Sequence, residues 1–309
     1  MEVVRATFHD LDAMCEAVRA WDVEFYPLTK EWRGRIAGNF VQAFDSDYQY
    51  SYSEFSPGLS MFGTPPKDLI TINIMEPTKR RYWVRRHEVD DGMAWVFPAG
   101  SELRSVSAPC FQVHTLSVSE EQIERLAAAL EINLQPPSKR PEVFPIPAEI
   151  LSTVRNYLHQ IRDGSNRFPI DPFHEVLQLL VPQWLQPNLD EHKRPTNLRA
   201  RDVAVRRFID IIDCHHPESV TNNVLLSECR VSERTLQYAI RERFDVTPHE
   251  FIKSMRLAKV RSALRHAEND EITVKEIAER SGVWHLGRFA ADYRKAFGEL
   301  PSQTLARKK

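Results

Sequence analysis

Two copies of one helical device stand near the C-terminus and restrict what this chain can be. The first reads VLLSECRVSERTLQYAIRERF from Val224 to Phe244, and the second ITVKEIAERSGVWHLGRFAADYRKAFG from Ile272 to Gly298. Each is a short apolar-periodic helix, a tight polar turn and a second helix that closes on an apolar residue. That is the sequence form of a helix-turn-helix, here spanning 224–245 and 275–298, whose second helix enters a DNA major groove.

Charge sorts with this device. The whole chain carries a formal net charge of only −2, yet from Lys193 onward there are 23 Lys and Arg against 16 Asp and Glu, while the rest holds 18 against 27. A basic segment joined to an acidic one is expected when one part alone must approach phosphates. The composition, 42% hydrophobic and 27% charged, is that of a globular protein. No apolar run reaches the roughly 18 residues of a membrane span, so a cytoplasmic protein without a membrane partner is expected. Cys15, Cys110, Cys214 and Cys229 form no C-x-x-C pair, which supports neither a zinc cluster nor a disulfide framework.

Between Gly34 and Ser117 the pattern becomes that of strands. YQYSYSEF (Tyr48 to Phe55), LITINIM (Leu69 to Met75) and FQVHTLS (Phe111 to Ser117) alternate with period two, RYWV and MAWVFP are short aromatic runs, and SPG, TPP, EPT, DDG and PAG mark turns. An antiparallel barrel or jelly roll fits. Ser117 with Glu120 predicts a capping box opening a helix, which completes an N-terminal domain over 1–135. Proline-rich PPSKRPEVFPIP (136–147) begins a connector over 136–197 with helices near Ala148 to Arg162 and Pro172 to Trp184. Their apolar faces, among them Val154, Leu158, Phe173 and Val176, suit either packing under the barrel or a dimer seam.

The DNA-binding domain is expected over 198–309. It opens on a helix from Leu198 to Cys214, with Val205, Phe208 and Ile209 inward and Arg199, Arg201, Arg206 and Arg207 on a solvated, phosphate-facing surface. In the first head Ser232 caps the reading helix, whose outward face carries Glu233, Arg234, Gln237, Tyr238 and Arg241, with Thr235 in the first turn. Arginine suits guanine O6/N7 and glutamine suits adenine N6/N7. In the second head Thr273 and Glu276 form a capping box and Gly282 supplies the turn. The outward face there carries His285, Arg288, Ala291, Asp292, Arg294 and Lys295. Between the heads, Thr247, Pro248 and Glu250 start a helix of about 27 Å, comparable to the ~34 Å between successive major-groove faces.

The tandem heads, the central RLAKVRSAL and the ending FGELPSQTL resemble the DNA-binding domain of the AraC/XylS family of bacterial transcription regulators, over roughly Asp202 to Arg307. VWHLGRFAADYRKAFGELPSQTL is most similar to the branch of the ethanolamine-utilisation operon regulator. The resemblance places base-contacting positions at Arg234, Gln237 and Tyr238, and at Gly287, Arg288 and Ala291. Arg230 departs from the glycine usual in the first turn, which is tolerable if φ stays negative. Ala291 stands where many members carry an arginine, so the second head is expected to lean on phosphate anchoring and shape.

The resemblance also implies a cupin-like N-terminal barrel that binds an effector or dimerises. Tyr48, Tyr50, Tyr52, Trp83 and Trp95 are candidates for an effector pocket, with core or interface as the alternative. The basic run KRRYWVRR (Lys79 to Arg86) suits an anionic ligand or a charge-protected edge strand. Only His87 and His114 fall between Gly34 and Ser117, without an H-x-H pair, so no metal site and no cofactor are expected. The fold class is α+β: a cupin-like antiparallel barrel with flanking helices, then an all-α domain of two helix-turn-helix motifs joined by a long helix. The function is that of a transcription activator binding double-stranded promoter DNA, with RNA polymerase, a small-molecule effector and a second copy in a homodimer as further partners. A ligand-independent dimeric regulator and a barrel enzyme with a DNA-binding appendage are the alternatives, though no nucleophile elbow, phosphate loop or metal triad is legible.

Overall fold

The computed structural model describes residues 2–9, 13–14, 18, 21–28, 38–44, 48–78, 82–85, 87–164, 171–186, 200–214, 220, 222–267 and 272–307. Cys15, Lys79–Arg81, Arg86, the end of the expected connector (187–197) and the first residues of the expected DNA-binding domain, Leu198 and Arg199, lie outside them.

The N-terminal strands are β1 (Glu2–Phe8), β2 (Asp22–Pro27), β3 (Gly38–Phe44), β4 (Tyr48–Phe55), β5 (Leu59–Thr64), β6 (Leu69–Met75), β7 (Tyr82–Val84), β8 (His87–Val89), β9 (Met93–Phe97), β10 (Leu103–Val106), β11 (Phe111–Ser119) and β12 (Val143–Pro145). They form a seven-stranded sheet in the order β1-β3-β4-β11-β6-β9-β12 and a five-stranded sheet in the order β2-β5-β10-β7-β8. The recorded pairings are antiparallel. The alternating runs of the sequence become β4, β6 and β11, the central strands of the larger sheet. Strands β1 and β2 precede Gly34, where the strand pattern was expected to begin. Strand β12 lies within the expected connector and seals the sheet edge beside β9.

Period two decides the layers. One face of the larger sheet sends Phe40, Phe55, Met75, Trp95 and Phe111 into the space between the sheets, where Val23, Phe25, Met61 and Tyr82 meet them. This is the interior of the two-sheet barrel. The opposite face presents Tyr50, Ile72, Leu116 and Val118 to helices α1 (Glu120–Ala129), α2 (Ala148–Asp163) and α3 (Pro172–Leu185). The stripes on α2 and α3, including Val154, Leu158, Phe173 and Val176, are buried there. Their apolar surface is consumed by packing within the chain.

The helix cap expected at Ser117 shifts to Ser119. Strand alternation continues through Ser117-Val118-Ser119, and β11 stays paired with β6 as far as Ser119 and Leu69. Ser117 is buried with its hydroxyl 2.9 Å from Thr71 Oγ1, and Ser119 Oγ accepts the Gln122 N–H at 3.2 Å. The ladder bonds outweigh a helix longer by two residues.

The C-terminal domain comprises α4 (Ala200–Cys214), α5 (Asn222–Cys229), α6 (Glu233–Phe244), α7 (Pro248–Arg265), α8 (Val274–Arg280), α9 (Leu286–Phe297) and α10 (Pro301–Ala306). Its first half packs on the outer face of the five-stranded sheet. Leu28, Trp83 and Val106 from the barrel share one cluster with Phe208, Phe244, Phe251 and Met255. Trp83 meets Phe244 with ring centroids 4.9 Å apart, and Ser60 Oγ lies 3.1 Å from Met255 Sδ.

Candidate nucleic-acid interface

In the first head a buried scaffold presents an exposed reading face. Leu225, Leu236, Ala239, Ile240 and Phe244 are buried, and their 3.6-residue spacing turns Glu233, Arg234, Gln237, Tyr238 and Arg241 to solvent. Ser232 takes an extended conformation and its Oγ accepts the Thr235 N–H at 3.2 Å, which fixes the helix start. Arg234, Gln237, Tyr238 and Arg241 share one face at i, i+3, i+4 and i+7. The Arg234 guanidinium lies over the Tyr238 ring at 5.6 Å, and Gln237 Nε2 donates to Glu233 Oε1 at 3.2 Å. Both groups are held locally and remain open to an incoming base edge.

The first turn differs from expectation. Arg230 adopts φ +53°, the left-handed region, rather than a negative φ. Its N–H still bonds the Leu226 carbonyl at 3.2 Å, so helix termination imposes the conformation on a residue with a Cβ. Replacing Arg230 by glycine is expected to stabilise the domain by about 0.5–1 kcal/mol, the relief of left-handed strain offset by glycine's unfolded-state entropy. Thermal unfolding checks this, and a lowered midpoint would contradict it.

In the second head Gly282, at φ +76°, makes the turn without that strain. Thr273 and Glu276 form the reciprocal capping box, with Glu276 N–H to Thr273 Oγ1 at 3.2 Å and Thr273 N–H to Glu276 Oε2 at 2.8 Å. The bonds from Thr273 hold the exposed Glu276 carboxyl below its ordinary pKa. Ile277, Ala278, Phe289 and Tyr293 are buried, whereas Thr273, His285, Gly287, Arg288, Ala291, Arg294 and Lys295 are exposed. A Cβ built on Gly287 would meet nothing within 4 Å, so intrachain packing does not require glycine there. Asp292 is only half-exposed and pairs with Lys253 at 2.7 Å.

Helix α7 joins the heads as expected, opened by the Thr247–Glu250 capping box with Pro248 at its first position. The FGELPSQTL ending is tied back to it. Glu299 accepts the Thr304 hydroxyl at 2.6 Å and faces Arg261 at 3.8 Å, while Tyr293 Oη lies 2.8 Å from Thr304 Oγ1.

Several expected site residues sit elsewhere. Arg206 faces the barrel's Glu88 at 3.9 Å, Arg207 donates to the Cys229 carbonyl at 3.2 Å, and Arg201 pairs with Glu242 at 3.5 Å. The described arginines of α4 therefore have intramolecular partners instead of forming a free phosphate surface. The five aromatic pocket candidates do not converge. Tyr48, Tyr50 and Tyr52 face the helices of the outer layer, Trp95 lies between the sheets and Trp83 lies at the seam with α6.

Trp284 escaped the sequence reading. It is 68% exposed two residues before the start of α9, and Tyr238, at 52%, is the exposed aromatic of the first head. A tryptophan beside a glycine turn was the available signal. The search for metal ligands likewise missed His159 on α2, which joins Glu76 and His114 in a group whose potential ligand atoms lie within 4.8 Å of one another.

Residues 225–307 match the helix-turn-helix domain family model. The chain is 35% identical over 101 residues to a probable thc operon regulatory protein of Rhodococcus erythropolis, covering 33% of this chain and 30% of that one. It is 27% identical over 159 residues to the transcriptional activator RhaS of Escherichia coli, covering 49% and 53%. A solved probable AraC family regulator from Rhodopseudomonas palustris is 31% identical, with 34% of this chain and 98% of that one covered and a TM-score of 0.32. The chain spans about a third of the length of the first curated relatives it matches. These relatives are transcription regulators rather than enzymes. Over residues 225–307 this chain carries a helix-turn-helix domain, similar to the corresponding part of these regulators.

Proposed function

We propose that the whole chain is a sequence-specific transcription activator that reads two adjacent major grooves of promoter DNA, with the first head supplying most of the base recognition. The observation that carries this reading is the exposed face of α6, where Arg234, Gln237 and Tyr238 stand free of the core on a capped helix. Ser232, Glu233, Thr235 and Arg241 border that face. On α9, Arg288 and Arg294 are cations at the exposed rim with His285, Thr273 and Gly287, while Ala291 offers no hydrogen bond. RNA polymerase is the partner through which such a protein activates, and a homodimer would place a second pair of heads on the promoter.

Control by an effector follows if the barrel interior accepts a small molecule. A cavity of about 50 Å³ there is lined by Ser51, Asn73, Thr115 and Trp95, and the buried indole N–H groups of Trp21 and Trp95 have no hydrogen-bond partner. Typical ligand pockets exceed roughly 300 Å³. The effector is therefore a molecule of few atoms, or the sheets part to admit it. The ethanolamine-branch likeness makes ethanolamine, with and without cobalamin, the first compound to test by thermal shift.

The DNA reading is tested by titrating full-length protein onto a fragment of the promoter beside its gene, against a scrambled fragment, over a range of salt. The expected result is tighter binding to the promoter by about 10³-fold or more, with both affinities falling as salt rises. Equal affinity for the two fragments would overturn it.

A further inference from the structure

We infer that Glu76, His114 and His159 form a binding site for a divalent transition-metal ion of the zinc class, placed outside the barrel where α2 crosses the seven-stranded sheet. Glu76 directly follows β6, His114 lies at the middle of β11 and His159 lies on α2. Both imidazoles aim Nε2 at the same carboxylate oxygen, Glu76 Oε1, at 2.6 and 2.5 Å. Two nitrogens and one carboxylate oxygen suit zinc, cobalt or nickel, with water completing the coordination.

The surroundings prepare His114 for this role. The ring is 1% exposed, and its Nδ1 lies 2.7 Å from Tyr50 Oη. That hydroxyl has a further acceptor in the Leu158 carbonyl at 3.2 Å. When it donates there, its oxygen accepts Nδ1–H, and Nε2 turns a lone pair toward the ion. Such an outer partner fixes the ring and the tautomer of a metal-bound histidine. An ionised carboxylate and a neutral imidazole are the ligand forms a metal needs.

Zinc–nitrogen bonds of about 2.0–2.1 Å require the ligand atoms to separate to roughly 3.3 Å. His159, 36% exposed on the outer helix, has room to withdraw. The neighbouring cations are already engaged. Arg155 donates to the Met75 and Asp91 carbonyls, and Arg162 lies 4.0 Å from Glu76 but bonds Asp163 at 2.9 Å. An ion here would tie α2 to β6 and β11, so occupancy would be read in the position of the outer helical layer.

The test is calorimetric titration of untagged, chelator-treated full-length protein with Zn²⁺, repeated with Co²⁺ to record its ligand-field absorption. One equivalent per chain and a raised melting temperature are expected. Glu76→Gln and His159→Ala are each expected to weaken binding by more than about tenfold, and His174→Ala to leave it unchanged. Absence of stoichiometric binding to the parent protein would overturn the proposal. So would His159→Ala binding as tightly as the parent, a variant chosen because its partly exposed side chain is not needed for the core.

Discussion

Replacing Arg234 with alanine is expected to raise the dissociation constant for the promoter site by roughly 5- to 150-fold, the equivalent of about 1–3 kcal/mol for one lost bidentate base contact. Stability should change little, because the side chain is exposed and its contact is the face of Tyr238. Salt-sensitive binding to unrelated DNA should persist, since the other cations of the heads remain. Fluorescence anisotropy against the promoter and against scrambled DNA separates the two effects. A uniform loss on both would assign Arg234 to phosphate instead. Gln237→Ala offers a second reading of the same face: the amide carries no charge, so its loss should again be felt mainly on the promoter.

Removing the Trp83 side chain is expected to cost about 3–5 kcal/mol, the range for a large aromatic deleted from a core. Trp83 is 1% exposed on β7 and packs on Phe244 at the end of the first reading helix. Polar contacts at the seam include those of Glu88 with Arg206 at 3.9 Å and Arg243 at 4.0 Å. The indole N–H has no partner, so its burial is a matter of packing and not of hydrogen bonding. Trp83→Ala should therefore lower the melting temperature and divide unfolding into two transitions, one for the barrel and one for the helical domain. Trp83→Phe, which keeps most of the ring contact, should cost less. A single transition at the parental temperature in Trp83→Ala would show that the seam contributes nothing to cooperativity.

The reading heads were legible because their signals are local. Caps at Ser232, Thr247 and Thr273 and the spacing of Leu236, Ile240 and Phe244 depend on neighbours within a few residues, and each element stands where those signals put it. The central strands were legible for the same reason, through the alternation of Tyr48–Phe55 and Leu69–Met75. What failed was any inference about which face an aromatic side chain joins. Tyr50 and Trp95 lie in one sheet, but their opposite pleats send them to different layers. Trp83 belongs to the other sheet, and its outward face is claimed by a domain that follows in sequence more than a hundred residues later. The convergence of Glu76, His114 and His159 was likewise invisible, because β11, the chain after β6 and α2 meet only through sheet pairing and helix packing. Arg230 shows a third limit. A non-glycine residue gave no local sign that the turn would force it to positive φ.

The two heads now differ in chemistry more than in scaffold. Both have buried cores and fixed helix starts, yet the outward face of α6 carries Arg234, Gln237 and Tyr238, whereas that of α9 has Gly287 and Ala291 among its exposed positions. The decisive measurement is the affinity of the full-length protein for a promoter series in which the base pairs beneath each head are substituted separately at fixed salt. Substitutions beneath the first head should cost about 1–3 kcal/mol per base pair, and those beneath the second should cost less. Equal penalties beneath both heads, or larger ones beneath the second, would contradict recognition led by α6.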